Sequence, residues 1–483
     1  MTRVLCALLA SVTVAAASGA VAAASLLPEG ITPVELEALP FEVDVGTTRE
    51  VYEGGAGSIA AAVVGLRRAI HQNPGIMYDE YAASDIAYGT LRAIGIEDAN
   101  IKRGLGITGM IAHIGAGSLE SSVAGEVPTI VLRADMDALP IQEETEVPFK
   151  STVPGVMHAC GHDAHNAMLL GAAMALKRRE AELIANGGAV RLFFQPAEEG
   201  GTGARRALVE GALNGATAAA MLHTNPEYEA GVIASKPGAV MAAEAELIIR
   251  VIGVGGHGAY PQTTTDPMIA ATAVVAALNT IVSRRVDPAE AGVISVTMLR
   301  GNSHKHNIIP SEVEMRGTMR ALSFEVMDFL IEEVERRAER VAAAYGCAVE
   351  IGPWLDTAVH RNSRGEEWST PARLPPVVND AAMVELGMGV YESIFPNATV
   401  LLDAAHMTGE DFSFLSDAMP SVFAWLGHRS PAHAVSERTG TNLHNSKMEV
   451  DETSLGRGAT FLSSLALAYL SGAGPPGRAG EEL

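Results

Sequence analysis

The densest run of side chains able to do chemistry is Met157-His158-Ala159-Cys160-Gly161-His162-Asp163-Ala164-His165. Thiolate, imidazole and carboxylate are the donors that divalent d-block metals favour. A helical pattern follows, and a helix N-terminus biases Cys160 toward thiolate. Alone, the run also reads as a polar helix start with Asp163 as cap and the histidines incidental. The second candidate is Glu198-Glu199 within Phe193-Phe194-Gln195-Pro196-Ala197-Glu198-Glu199-Gly200-Gly201, two adjacent acids after an apolar strand. Neighbouring carboxylates repel unless a cation or a shared proton intervenes. One can then bind metal while the other moves protons, a solvated turn being the bland alternative. His223, after the apolar stretch Ala218–Leu222, and His444, in Leu443-His444-Asn445, each signal little alone. Four such features in one chain argue for a metal centre.

These residues must be carried to one place by the elements around them. Ala61–Ile70, His165–Leu183 and Arg205–Leu213 have helical spacing, whereas Ile107–Ile114, Val127–Leu132, Val190–Phe194 and Ala218–Leu222 read as strands. That alternation indicates a mixed, mostly parallel α/β sheet. Glu198-Glu199 and His223 then fall at strand C-terminal ends, where open α/β sheets bind ligands. From about Ala243 the rhythm changes to strand Leu247–Ile252, helix Pro267–Arg285, strands Gly292–Leu299 and Glu312–Leu322, helix Phe324–Tyr345 and strand Cys347–Ile351. This βαββαβ order is ferredoxin-like. The expected organisation is a signal peptide (1–24), a leader extension (25–54), a discontinuous α/β domain (55–242 and 374–471) with a lid or dimerisation domain inserted at 243–355, a polar loop (356–373) and a flexible tail (472–483).

The 483 residues are 48% apolar and carry a formal net charge of −23. The chain can therefore bury large cores, and it lacks the basic footprint that nucleic-acid binding requires. Arg3, the apolar run from Val4 to about Ala17 and the small residues Ala20–Ala24 have the layout of a secretory signal cleaved before Ser25. The run is shorter than the ~20 residues of a spanning helix. No other segment reads as long and apolar enough to span, so the expectation is a secreted or periplasmic protein without a stable membrane anchor. Cys160 and Cys347 would remain after cleavage; Cys160 belongs to the ligand cluster and Cys347 reads as a buried free thiol rather than a disulfide partner.

Four strings occur in order along the chain: Leu132-Arg133-Ala134-Asp135-Met136-Asp137-Ala138-Leu139-Pro140, the Cys160 run, Gln195-Pro196-Ala197-Glu198-Glu199-Gly200 and Gly409-Glu410-Asp411-Phe412. Together they resemble the M20 metallopeptidase/amidohydrolase family, in its branch of hippurate, N-acyl-amino-acid and indole-acetyl-amino-acid hydrolases. The resemblance spans about Gly57 to Leu470. It implies two divalent ions (zinc, manganese, cobalt or nickel): Cys160 bridges them, with His162 and His223 on one and Glu199 and His444 on the other. It makes Glu198 the general base and acid, and Asp137 a residue that orients a ligand imidazole. In the inserted domain it implies that His257, in Gly255-Gly256-His257-Gly258, donates to the developing oxyanion, often across a homodimer interface. Asn307 and Arg320 then hold the carboxylate of a small amide substrate. Without the family, His257 is an exposed turn histidine and Arg320 a surface strand residue. Gln262, the run Ser303–His306 and the polar loop depart from the relatives beside the substrate pocket.

Hydrolysis of N-acyl amino acids or similar amides is the leading expectation. A secreted carboxypeptidase or dipeptidase is the second. A binding protein without catalysis would have no need of Glu198 beside Glu199, and a Cys160 nucleophile explains the surrounding ligand-type residues less well than a metal does.

Overall fold

The computed structural model describes residues 58–352, 360–368, 373–402, 405–429 and 442–473. The expected signal peptide, leader extension and most of the tail lie outside the described residues. Strands follow in chain order as β1 (Ile101–Leu105), β2 (Gly109–Gly115), β3 (Thr129–Asp135), β4 (Ala189–Gln195), β5 (Ala218–Glu229), β6 (Ile233–Ala234), β7 (Gly238–Met241), β8 (Ala243–Ile252), β9 (Gly256–His257) and β10 (Gly292–Gly301). They continue as β11 (Ile308–Ile309), β12 (Glu312–Ala321), β13 (Ala348–Ile351), β14 (His360–Arg361), β15 (Glu367–Trp368), β16 (Arg373–Leu374), β17 (Val377–Asn379), β18 (Val400–Leu401) and β19 (Ser421–Arg429).

The central strands are apolar on both faces because both are covered. In β3, Ile130, Leu132 and Ala134 enter one core and Val131 the other; β4 divides likewise into Val190, Leu192 and Phe194 against Phe193. Each large apolar side chain so buried contributes roughly 1.5–3 kcal/mol. The eight-stranded sheet has the order β1-β2-β4-β3-β5-β19-β6-β18. Its middle pairings, β4–β3, β3–β5 and β5–β19, are parallel, while β1–β2, β2–β4 and β19–β6 are antiparallel. The sheet is mixed. Helix His162–Arg178 lies against its first face and is buried from His162 through Leu176, with Ile59–Gln72 and Leu455–Ala468 beside it.

The second sheet contains β10-β12-β8-β13, all antiparallel, with β16 also on β8. Helices Pro267–Arg285 and Phe324–Ala344 pack on it around a separate apolar core. With β8 as first and β13 as last strand, this is the ferredoxin-like order. Helix Pro267–Arg285 corrects one expectation: it is long and apolar enough to cross a membrane. It instead seats Ala270, Ala271, Val274, Leu278 and Ile281 in the lid core.

Several element boundaries also differ from the expectation. Ile107, expected to begin a strand, sits in the β1–β2 turn at φ 81°. The helix expected at His165–Leu183 starts at His162 and divides at Arg179. Helix Tyr81–Ala93 was not foreseen. The polar loop contains the β14–β15 hairpin, and Arg373–Leu374 joins the lid sheet. Asn362 in that hairpin donates to the Tyr78 carbonyl at 2.9 Å, clasping it to the larger domain.

Candidate metal centre and active site

The C-terminal ends of the parallel strands β3, β4 and β5 deliver the chemistry to one edge. Asp135 ends β3, and Asp137 follows it. After β4 the chain turns sharply: Ala197 and Thr202 both have φ above 50°, and the short turn between them presents Glu198 and Glu199. His223 lies within β5, which runs on to Glu229 rather than ending at Leu222, opposite Trp425 of β19. Cys160 and His162 flank Gly161, which starts the central helix at φ 86°. A Cβ on Gly161 would sit 2.3 Å from Oγ1 of Thr224, so only glycine allows this helix start. His444 returns from far along the chain, its N–H donating to the Ala159 carbonyl at 2.7 Å.

The donor atoms converge in three overlapping groups. Asp135, His162, His165 and His223 each offer a donor atom, mutually within 4.8 Å; so do Cys160, Glu199 and His444, and so do His162, Glu198 and Glu199. The Cys160 sulfur lies 3.7 Å from Nε2 of His223, and Nε2 of His444 lies 3.0 Å from Glu199. Nε2 of His162 is buried without a hydrogen-bond partner. A buried orphan nitrogen among thiol, imidazole and carboxylate donors suits soft or borderline divalent metals. All five residues expected as ligands are thus brought together, with Glu198 beside them.

Charge placement explains why a cation belongs there. Burial, followed by Glu199 and Glu198, pushes the Cys160 thiol well up, against the thiolate bias expected from the helix start. Burial and the neighbours Glu410, Glu199 and Asp411 likewise raise Glu198 well above the carboxylate range. Burial opposes charge on His162, but Asp135 and Asp137 outweigh it and hold the imidazole at about 10. Divalent charge at the cluster reverses these preferences, because ligands must shed their protons to bind. Asp137 touches two of these residues. One oxygen lies 3.2 Å from Nδ1 of His162, and the other accepts from the Glu199 N–H at 2.8 Å.

Other contributors were not foreseen. Asp135 lies 2.6 Å from Nδ1 of His165, whose Nε2 accepts from the Thr224 N–H at 2.9 Å. Arg133, fully buried in β3, bonds Asp135 at 2.8 Å, Glu410 at 2.9 Å, Asp411 at 2.8 Å and the side-chain Oε1 of Gln195 at 2.8 Å. An arginine between apolar residues of a central strand was the available signal, since it must find anions inside the protein.

An open cavity of about 670 Å³ leads from the cluster toward the lid. Glu198, Glu199, His223 and His444 line its floor; Arg320 and Glu244 line the lid side; Trp425 and Met241 add apolar wall. His257 and Asn307 are not brought to this cavity. His257 lies exposed on β9 and Asn307 exposed just before β11, which pairs with β9, and the Gly258 N–H donates to the Asn307 carbonyl at 2.8 Å.

Fold, donor cluster and substrate-sized cavity define a metal-dependent hydrolase with an inserted lid. The chain belongs to peptidase family M20/M25/M40, whose pattern matches residues 131–307 and 312–468, and it is a metal-dependent amidohydrolase. It is 36% identical to IAA-amino acid hydrolase ILR1-like 5 of Arabidopsis thaliana, over 84% of this chain and 86% of that protein. It is 33% identical to N-acetyl-L-cysteine deacetylase of Bacillus subtilis, over 84% and 88%. The crystal structure of the Bacillus subtilis YXEP protein, described as a dinuclear metal binding peptidase from the M20 family, aligns at 30% identity with a TM-score of 0.68, covering 85% of this chain and 98% of that one.

Proposed function

We propose that the protein hydrolyses the amide bond of N-acyl amino acids, using two divalent cations held by Cys160, His162, His223, Glu199 and His444. The observation that carries this reading is the position of Glu198: its carboxylate shares donor distance with His162 and Glu199 and faces the cavity. Zinc, manganese, cobalt and nickel all suit the donor set. Divalent cations there supply Lewis acidity, polarising the scissile carbonyl and making water acidic enough to attack at neutral pH. Glu198 takes the proton from the attacking water and passes it to the departing amine nitrogen. Arg320 faces the substrate carboxylate from the lid. Relatives named for hydrolysing an amino-acid conjugate and for deacetylating N-acetylcysteine support the acyl-amino-acid class.

The test is metal analysis joined to a panel of N-acyl amino acids, on the wild type and on E198Q. Turnover is expected to fall by about two to four orders of magnitude in E198Q, with metal content unchanged. Equal release of amine by both proteins would refute the role of Glu198, and none from either would refute the activity. The likeness to a dinuclear metal binding peptidase of Bacillus subtilis favours a second reading, dipeptide cleavage; dipeptides with matched leaving groups in the same panel separate the two.

The inserted domain is also proposed to dimerise. β10 is an edge of its sheet, and exposed His257 would act in the partner's cavity. Sedimentation and an H257A variant test this: loss of activity without loss of metal is expected. The mature protein is proposed to begin at Ser25 and act in the periplasm or outside the cell, which N-terminal sequencing of exported protein checks.

A further inference from the structure

Glu244 lies near the start of β8, where Ala243, Ala245 and Leu247 turn into the lid core and Glu244 and Glu246 turn the other way, to the cavity. Oε1 of Glu244 lies 2.9 Å from Nη2 of Arg320. Its other oxygen rests against the Gly409 loop, where a Cβ on Gly409 would come within 2.4 Å of it. Nη1 of Arg320 is occupied too, by Thr318 Oγ1 and the Met319 carbonyl. The second arginine of the cavity, Arg373, is bonded to Asp328 at 2.7 Å. An incoming substrate carboxylate therefore meets a guanidinium that already holds a carboxylate of the protein.

To gain a two-point grip on Arg320, the substrate must displace Glu244. The displaced side chain stays in a partly buried wall, with Glu246 two residues along and Glu199 close enough to oppose its ionisation. Leaving a carboxylate unpaired in such a place is unfavourable. A substrate with an uncharged side chain leaves that cost standing; one carrying its own cation beside its carboxylate removes it. We propose that Glu244 sets the substrate class, selecting N-acyl diamino acids whose α-carboxylate takes Arg320 and whose side-chain ammonium takes Glu244. This rests on the reading of the cavity as an acyl-amino-acid site.

The experiment compares Nα-acetyl-lysine with Nα-acetyl-norleucine, which match in length and differ in charge, on the metal-loaded wild type, E244Q and E244A. Wild-type kcat/KM is expected to favour the lysine derivative about tenfold. Both variants should lose that preference, chiefly through a lower KM for the norleucine derivative. Equal or reversed preference in the wild type, or a preference that persists in both variants, overturns the assignment. Should neither compound turn over, the amide-hydrolysis reading has failed instead, and calorimetric Kd values for the same two compounds decide the inference. Tighter binding of the lysine derivative that depends on Glu244 sustains it; equal binding ends it.

Discussion

Nδ1 of His162 lies 3.2 Å from Oδ1 of Asp137, which turns the ring so that Nε2 points among the other donor atoms. The same aspartate holds the Glu199 N–H with its second oxygen at 2.8 Å, so one side chain orients residues assigned to both metal positions.

Asp137→Ala is therefore expected to weaken metal binding about 10- to 100-fold, with activity restored in part by excess metal. Chelator titration of wild type and variant gives the comparison. Unchanged affinity would show that the ring is held by packing alone.

Arg133 carries a structural prediction. It is completely buried and neutralises Asp135, Glu410 and Asp411 at once. Arg133→Met leaves these acids without their cation, and breaking a buried ion network in this way costs about 3–5 kcal/mol. Burial works to raise the Asp135 carboxyl, but His162 and Arg133 together hold it well below the usual carboxylate range, so it loses most when the arginine goes. Denaturant unfolding at neutral pH should show the loss, and lowering the pH toward 6 should narrow it as these acids take up protons. A loss independent of pH would point to packing instead.

Much of this was legible in the sequence because the site sits at strand ends that announce themselves. Apolar runs before Glu198-Glu199 and around His223 gave the strands, and parallel pairing brings such ends together whatever the loops do. The lid was equally plain: helical spacing marked Pro267–Arg285 and Phe324–Tyr345, and the structure has helices Pro267–Arg285 and Phe324–Ala344, capped by the side chains of Asp266 and Ser323. The edges of the larger sheet were not, since β1 and β18 are short and their partners are set by tertiary packing. His444 illustrates the limit. Its local stretch has no periodicity, and it reaches the cluster through a backbone bond to Ala159, a contact across 285 residues that no short-range pattern encodes. Arg133 and Glu244 were passed over for a different reason: their meaning lies in the partners they meet, Glu410 and Asp411 for one and Arg320 for the other.

Gly161 offers a sharp local test. At φ 86° an L side chain costs ~1–2 kcal/mol. Its Cβ would also strike Thr224, whose hydroxyl lies 3.1 Å from Nε2 of His165. Gly161→Ala is expected to lower the melting temperature and displace both Cys160 and His162, so that metal content falls together with activity. Full metal occupancy in a destabilised variant would show that the helix start tolerates the change.

Part of the acid stability is set by His71 and the two acids it meets. His71 lies between two acids, with Nδ1 2.8 Å from Asp163 and Nε2 3.2 Å from Glu143. Burial works to raise the Glu143 carboxyl, but the bonds from His71, Thr145 and the Ser151 N–H outweigh it and hold the group down at about 2, against an ordinary 4.5. A carboxyl whose folded pKa is depressed adds stability that is fully present above its unfolded value and disappears as pH falls through the folded one. Glu143 should therefore contribute above pH 4.5 and cease to contribute near pH 2. His71 has the opposite sign. Burial lowers its pKa, yet Asp163 and Glu143 bring the net shift upward, so its contribution is present below 6.5 and fades at higher pH. Glu143→Gln keeps the shape but removes the titrating group, and with it part of what holds His71 up. The variant should be less stable than wild type at pH 6 and converge on it toward pH 2. Urea unfolding midpoints measured across that range test this; parallel curves would mean that Glu143 is not the group whose protonation loosens this corner of the fold.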